Sequence, residues 1–151
     1  MRLFKKVILF LLIVFVGIQF MPTTRNQNNE ILQTDFSKTF AVPNNIQNLL
    51  KNSCYDCHSN NTNYPWYNKI QPVSWFLEYH IKQGKKELNF SEFGGYSERR
   101  QKSKIKAAIS QIEENKMPLL TYTLIHKEAK LSGSDKNLIT TLLAQLRDGM
   151  H

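Results

Sequence analysis

Two cysteines and a histidine stand together in the run Cys54-Tyr55-Asp56-Cys57-His58. Two thiols at this spacing can form thioether bonds with both vinyl groups of a haem, and the imidazole that follows can bind the iron from the same side. The chain holds only 2 cysteines, so haem attachment would consume both and leave none for a disulfide. The run therefore predicts one covalent haem c, with His58 as the proximal iron ligand.

A thiol–disulfide redox pair is the other chemistry that two cysteines at this spacing perform. In thioredoxin-like proteins the pair lies where a strand meets a helix, inside a βαβ unit. The residues around Cys54 and Cys57 instead have the pattern of helix and loop. Haem attachment is therefore the favoured interpretation, and a thiol–disulfide redox protein is the less favoured one.

The opposite face of the iron either receives a second ligand or stays open. Met117 precedes Pro118 in a loop between two predicted helices, and a thioether on such a loop can lie across the haem and raise its reduction potential. His80, on the apolar stripe of a predicted helix, is the alternative ligand, and His126 is a weaker candidate. An open position would suit a gas or redox sensor, or a haem protein that acts on peroxide.

Helices are predicted to position these groups, because apolar residues recur at helical spacing and no strand pattern is present. The predicted starts are Asn44 or Asn45, Pro72, Ser97, and Ser132 or Ser134, and the predicted ends include Gly84 and Gly149. The predicted inward face of the second helix consists of Val73, Phe76, Leu77, His80 and Ile81. The expected fold class is all-α, a small cytochrome-c-like helical domain around a covalent haem.

Groups that support a bound haem are expected close to the cysteines. The second ring nitrogen of His58 should donate to a backbone carbonyl, which we expect from the turn at Pro65 or the turn at Pro72. Flat side chains of the kind that line a porphyrin or fill a core crowd the same stretch. They are Tyr64, Trp66, Tyr67, Trp75 and Phe76.

The N-terminus, residues 1–21, has the pattern of a secretory signal peptide or a signal anchor. Arg2, Lys5 and Lys6 precede an apolar run over residues 7–21. That run is shorter than the roughly 20 residues of a usual spanning helix, but no convincing small-x-small cleavage site follows it. We therefore favour an uncleaved N-terminal anchor, with the protein on the periplasmic side of the inner membrane, or free in the periplasm if the segment is removed.

Residues 22–39 are polar without periodicity and are predicted to be a linker, whereas residues 40–149 are predicted to be the haem-binding domain. The net charge is +8, and lysines and arginines concentrate in the middle of that domain. They form solvated helix faces, or a docking surface for an acidic redox partner or anionic head groups. Nucleic acid is not expected as a partner, because the sequence has no recognised binding motif.

Several separate sequence blocks also resemble one known family. The blocks are residues 53–60, Tyr64-Pro65-Trp66-Tyr67, Pro72-Val73-Ser74-Trp75, Leu88-Asn89-Phe90-Ser91-Glu92, and Met117-Pro118 followed by Tyr122, His126 and Leu131-Ser132. In content and order they are similar to the haem-binding domain family common in Bacteroidetes, over about residues 40 to 146. The resemblance implies covalent haem binding through Cys54, Cys57 and His58 in a cytochrome-c-like domain.

These features together predict an exported, membrane-tethered monohaem c-type cytochrome that carries electrons between redox proteins of the periplasm or the membrane. Such a carrier holds the haem, sets its potential through the axial ligands and presents an edge for docking. No acid–base constellation or nucleophile triad is apparent in the sequence, so enzymatic turnover is not expected.

Overall fold

The structure, a computed structural model, describes residues 2–28 and 30–150. Met1 of the predicted leader, Asn29 of the predicted linker and His151 lie outside the described residues. Within the described ranges the chain is helical, and the β-type pairing found there is one isolated antiparallel bridge between Gln27 and Asn61. The all-α class that the sequence predicts is confirmed.

Eight α-helices follow one another along the described residues: α1 Arg2–Ile18, α2 Phe36–Thr39, α3 Asn44–Leu50, α4 Asp56–His58, α5 Val73–Glu87, α6 Glu98–Glu113, α7 Leu120–Thr123 and α8 Gly133–Asp148. A π-helical turn covers Lys51–Tyr55, and 3₁₀ turns cover Trp66–Lys69, Phe90–Gly95 and Lys127–Ala129. Helix α8 lies against both α6 and α3, whereas α5 lies against α4. The two long helices α6 and α8 and the helical run that carries the cysteines therefore surround a common interior.

The helix predicted to run into the cysteines does so. Helix α3, the π turn and α4 form one continuous helical run over residues 44–58, and its widened central turn carries Cys54. The run begins at Asn44, the first of the two predicted starts. The cap position is held by Pro43, which has an extended conformation and whose carbonyl accepts from Gln47 N at 2.9 Å. A π turn inside an α-helix often marks a functional site.

The starts of α6 and α8 lie where the sequence predicts them, and α8 has a side-chain cap. Ser97 precedes α6, as the sequence predicts. Ser132 caps α8 through a reciprocal pair of hydrogen bonds: its hydroxyl accepts from Asp135 N at 3.1 Å, and the Asp135 carboxylate accepts from Ser132 N at 2.9 Å. This capping box satisfies backbone donors that have no partner inside the helix. Gly149 ends α8, also as predicted.

Helix α5 differs from its prediction. Of its predicted inward face, Val73 is 41 % exposed and Phe76 is 59 % exposed, whereas Ser74 and Ile81 are buried. The buried face of α5 is rotated from the predicted one because the segment that follows α1 covers it. The hydroxyls of Thr23 in that segment and Ser74 in α5 lie 3.1 Å apart. The prediction missed Ser74 because it used apolar residues alone to find the buried face, and a polar residue can also be buried where an irregular segment covers the helix.

The core lies between α6, α8 and a cluster of aromatic rings. Ile105 of α6 and Ile139 of α8 are at most 1 % exposed. The rings of Phe36, Phe90 and Phe93 meet edge to face, with centroids 5.1 and 5.4 Å from Phe36. Such aromatic pairs combine large apolar burial with a favourable ring geometry.

Part of the predicted linker, residues 22–39, packs against the domain. Phe36 is only 1 % exposed. The Asn26 carboxamide donates to Ser59 O and to Thr62 Oγ1, both at 2.9 Å. The polar composition misled the prediction because these polar side chains satisfy groups of the domain instead of facing water. The packed part of the chain therefore begins well before residue 40.

Helix α1 contains the apolar run of the predicted leader, and its apolar side chains are exposed in the isolated chain. Of the helices in the described residues, none combines the length and the apolar character that crossing a membrane requires.

Candidate haem site

Two adjoining cavities lie beside the helical run that carries the cysteines. The first lobe, of about 330 Å³, is lined by Cys54 and by residues of α6 and α8. The second lobe, of about 200 Å³, is lined by Cys57 and by residues of α5 and α7. Ser53, His58, Glu87 and Met117 line both lobes. The shared lining makes them two parts of one space, which has the size of a small-molecule site.

The structure brings together four residues that are far apart in the chain. Cys54, Cys57 and His58 lie on one wall of this space, and Met117 reaches it from the loop after α6. His80, the alternative ligand, lines the second lobe only. A thiol pair, an imidazole and a thioether around an apolar space form the donor set of a haem with His/Met ligation.

The orientation of His58 is set by a backbone carbonyl. His58 Nδ1 lies 3.0 Å from the carbonyl oxygen of Leu88, and because that oxygen only accepts, Nδ1 carries the proton. The other ring nitrogen, Nε2, is then free to bind a metal. Burial lowers the pKa of His58, and the carbonyls of Leu88 and Gly84 oppose this shift only in part. The imidazole is therefore held in the neutral form that metals need.

The carbonyl that orients His58 is not one of the two predicted from the sequence. The turns at Pro65 and Pro72 do not supply it, and Leu88, which follows α5, does. The prediction was wrong because it assumed that a nearby turn folds back, whereas the contact spans 30 residues and depends on how α5 packs.

Helix α5 approaches the cysteines closely at Gly84. A Cβ atom added at Gly84 would lie 2.7 Å from the carbonyl oxygen of Cys57. Real Cβ atoms do not come so near a backbone oxygen, so only glycine permits this contact. The sequence predicted Gly84 to be the end of the helix, but α5 continues to Glu87 and the glycine serves helix packing instead.

Both thiols are half-buried and held protonated. Burial, followed by the charge of Cys57, raises the pKa of Cys54 to about 12. Burial, followed by the charge of Asp56, raises the pKa of Cys57 to about 11. A thiol–disulfide enzyme needs the opposite, because its attacking cysteine has a lowered pKa and reacts as the thiolate. The environment of the cysteines is therefore unlike that of a reactive dithiol.

A hydrogen bond joins the cysteine segment to the loop that carries Met117. The hydroxyl of Tyr122, on α7 just after that loop, donates to the Asp56 carboxylate at 2.6 Å. Asp56 also accepts from Asn63 N at 3.0 Å. Burial and this bond raise the pKa of Tyr122, which stays a phenol. Sequence reasoning gave Asp56 and Tyr122 no role, because their 66-residue separation carries no local pattern.

His126, the weaker candidate ligand, lies outside both lobes. Its Nε2 atom lies 2.7 Å from the hydroxyl of Tyr67, and its ring stacks on Tyr122 with centroids 4.4 Å apart. The structure therefore places His126 beside Tyr67 and Tyr122 and not among the residues that line the two lobes.

The aromatic residues predicted to line the porphyrin do not line either lobe, as far as the described residues show. Trp66 is 75 % exposed, and Trp75 lines a separate cavity beside the N-terminal segment. The aromatic lining comes instead from Phe90 and Tyr122. Proximity in sequence failed here because the stretch after His58 forms a surface turn at Trp66–Lys69.

The lining fits a haem. Most of its surface is apolar, and α6 contributes two alanines, Ala107 and Ala108, whose small side chains leave room for a flat ring. The Ser53 hydroxyl lies in the lining of both lobes and is buried without a hydrogen-bond partner among the described residues. A buried hydroxyl without a partner is costly, so the Ser53 hydroxyl is available to a polar group of a molecule bound in this space.

Comparison with known proteins gives one match. The family model described as a haem-binding domain matches residues 13–145, which is most of the chain. No curated protein and no solved structure matches. With the cysteines, His58 and Met117 around one apolar space and the family model across nearly its whole length, the chain belongs to the haem-binding domain family.

Proposed function

We propose that this protein is an exported monohaem c-type cytochrome that carries single electrons between redox proteins. Family membership makes it a haem protein. The observation that carries the finer proposal is that Cys54, Cys57, His58 and Met117 all line the two lobes of one space. When bound, a haem supplies one-electron redox chemistry whose potential depends on its axial ligands and burial.

Each residue of the site has a separate task. Cys54 and Cys57 hold the haem through thioether bonds, so the cofactor cannot dissociate. His58, with its Nδ1 proton on the Leu88 carbonyl, presents Nε2 as the proximal ligand. Met117 is the distal ligand, and the Tyr122–Asp56 bond holds its loop against the cysteine segment.

Electron carriage is favoured over catalysis because the two cysteines, His58 and Met117 all line one space whose walls are mostly apolar. In the described residues, no group of three or more Cys, His, Asp or Glu side chains forms a further metal centre. The partners we propose are redox proteins of the periplasm or the membrane, which would dock at the exposed rim of the lobes.

Export is proposed from the leader alone. Arg2, Lys5 and Lys6 precede the apolar residues of α1, which is the arrangement of a secretory leader. The proposed location is the periplasmic side of the inner membrane, with α1 retained as the tether. Cell fractionation tests this location. Recovery of the protein from the cytoplasmic fraction would contradict it.

The first test is whether haem is covalently attached. We expect the full chain, made in a host that matures c-type cytochromes, to keep its colour after acid–acetone extraction and to show sharp reduced bands in the visible spectrum. A far-red band in the oxidised form would support sulfur ligation by Met117. Extractable haem would contradict covalent attachment, and a colourless protein would favour the thiol–disulfide function.

A sensor or peroxide-active protein is the second candidate function. Met117 and His80 both line the second lobe, so an iron position that neither residue occupies would open into that lobe. If neither Met117 nor His80 binds the iron, carbon monoxide will change the spectrum of the reduced protein. An unchanged spectrum at saturating carbon monoxide would exclude an open sixth position.

A further inference from the structure

One side of α6 forms a wall of the first lobe. Lys104, Ala107, Ala108 and Gln111 all line it, and their spacing places them on a single helix face. Most of the other side chains that line the first lobe are apolar or small, and the charged end of Lys104 differs from them. Among the described residues that line either lobe, Lys104 is the one lysine or arginine.

The present partner of Lys104 is a weak one. Lys104 Nζ lies 3.4 Å from Glu87 Oε2, and the Glu87 side chain is 75 % exposed. An ion pair this long and this open to water contributes little to stability. The Lys104 side chain, by contrast, is only 24 % exposed. A half-buried cation beside an apolar cavity gains much more from a carboxylate inside that cavity.

A haem brings such carboxylates. In its ring the two vinyl-bearing pyrroles are neighbours, and each carboxylate-bearing pyrrole adjoins one of them. Because Cys54 lines the first lobe and Cys57 lines the second, a haem attached at both would have one carboxylate on the Cys54 side of the ring. Lys104 is the one lysine or arginine among the described residues lining the first lobe that could meet this carboxylate.

We propose that Lys104 binds the haem carboxylate on the Cys54 side of the ring, exchanging Glu87 for it. This inference rests on the proposed function, since it needs a haem attached at both cysteines. Lys104 is then a positioning residue that neutralises the haem edge and disfavours the more positive ferric state, so that it raises the reduction potential.

The test compares two neutral variants of the full chain in the haem-loaded form. Lys104→Met removes the charge at the lobe, and Lys106→Met removes the same charge from an exposed position on the same helix, away from both lobes. The reduction potential is measured by spectroelectrochemical titration, and the bending band of the haem carboxylates is measured by resonance Raman scattering. We expect Lys104→Met to lower the potential and shift the band, whereas Lys106→Met changes neither.

Equal potentials and unshifted bands in both variants would overturn the inference while covalent haem still supports the proposed function. Wild-type protein without covalent haem would overturn both. Lys104→Gln is the second neutral variant if Lys104→Met accumulates poorly, because a polar end suits a side chain that is 24 % exposed. Lys104→Arg should restore the potential, since it keeps the charge.

Discussion

At the scale of single residues, the site depends on groups whose protonation and direction are set by their surroundings. The Leu88 carbonyl decides which nitrogen of His58 is free, and burial keeps that imidazole neutral. Burial also keeps both thiols protonated, which separates this pair of cysteines from a reactive dithiol. Residue type made these side chains candidates, and their environment decides what each can do.

Replacing Met117 tests its proposed role as the distal ligand. We expect Met117→Ala to retain covalent haem through the two cysteines but to lose the far-red band of sulfur ligation and to lower the reduction potential. His80→Ala is the matched control, because His80 lines the same lobe. Its spectrum should keep the far-red band. If Met117→Ala keeps the band and His80→Ala changes the spectrum, the alternative ligand is correct.

At the scale of elements, the site is made by the packing of α5 and α6 against the helical run that carries the cysteines. Helix α5 brings Glu87 and the following Leu88 to the site only because Gly84 lets it approach Cys57. Helix α6 offers a face of small residues that ends in Lys104. Both contributions come from helix faces that apolar periodicity alone did not single out.

Filling the close contact at Gly84 should loosen this packing. Gly84→Ala places a Cβ atom 2.7 Å from Cys57 O, and overpacking of this kind costs about 1–3 kcal/mol of the free energy of unfolding, more than the helix propensity of alanine returns. Gly133→Ala is the control, because an added Cβ there meets nothing within 4 Å. Urea unfolding of the haem-loaded variants measures both. A Gly84→Ala variant as stable as Gly133→Ala would contradict the packing role.

At the scale of the whole molecule, the domain is larger than its composition indicates. The polar stretch before residue 40 contributes Phe36 to the core and Asn26 to the segment after His58. The family model begins at residue 13, earlier than the resemblance in the sequence blocks. Asn26 and Phe36 of the predicted linker therefore belong to the packed structure that supports the site.

Truncating one ring tests this extension of the domain. Phe36→Ala should lower the free energy of unfolding by about 3–5 kcal/mol, because Phe36 is 1 % exposed and contacts Phe90 and Phe93. Phe20→Ala should have little effect, since Phe20 is 82 % exposed. Thermal or urea unfolding of the two variants gives the comparison. If the two variants had equal free energies of unfolding, residues 22–39 would be a linker, as the sequence predicts.

The sequence by itself determined the features that depend on neighbouring residues. The spacing of Cys54, Cys57 and His58 predicts the haem chemistry, and Ser97 and Ser132 mark the starts of two helices. These features are local, because covalent reach and capping act over a few residues.

Only the tertiary structure decided the features that join distant parts of the chain. The Leu88 carbonyl on His58, the approach of Gly84 to Cys57 and the bond from Tyr122 to Asp56 each depend on how helices pack. Close packing selects such partners by shape and by the need to satisfy buried polar groups, and neither leaves a periodic pattern in the sequence.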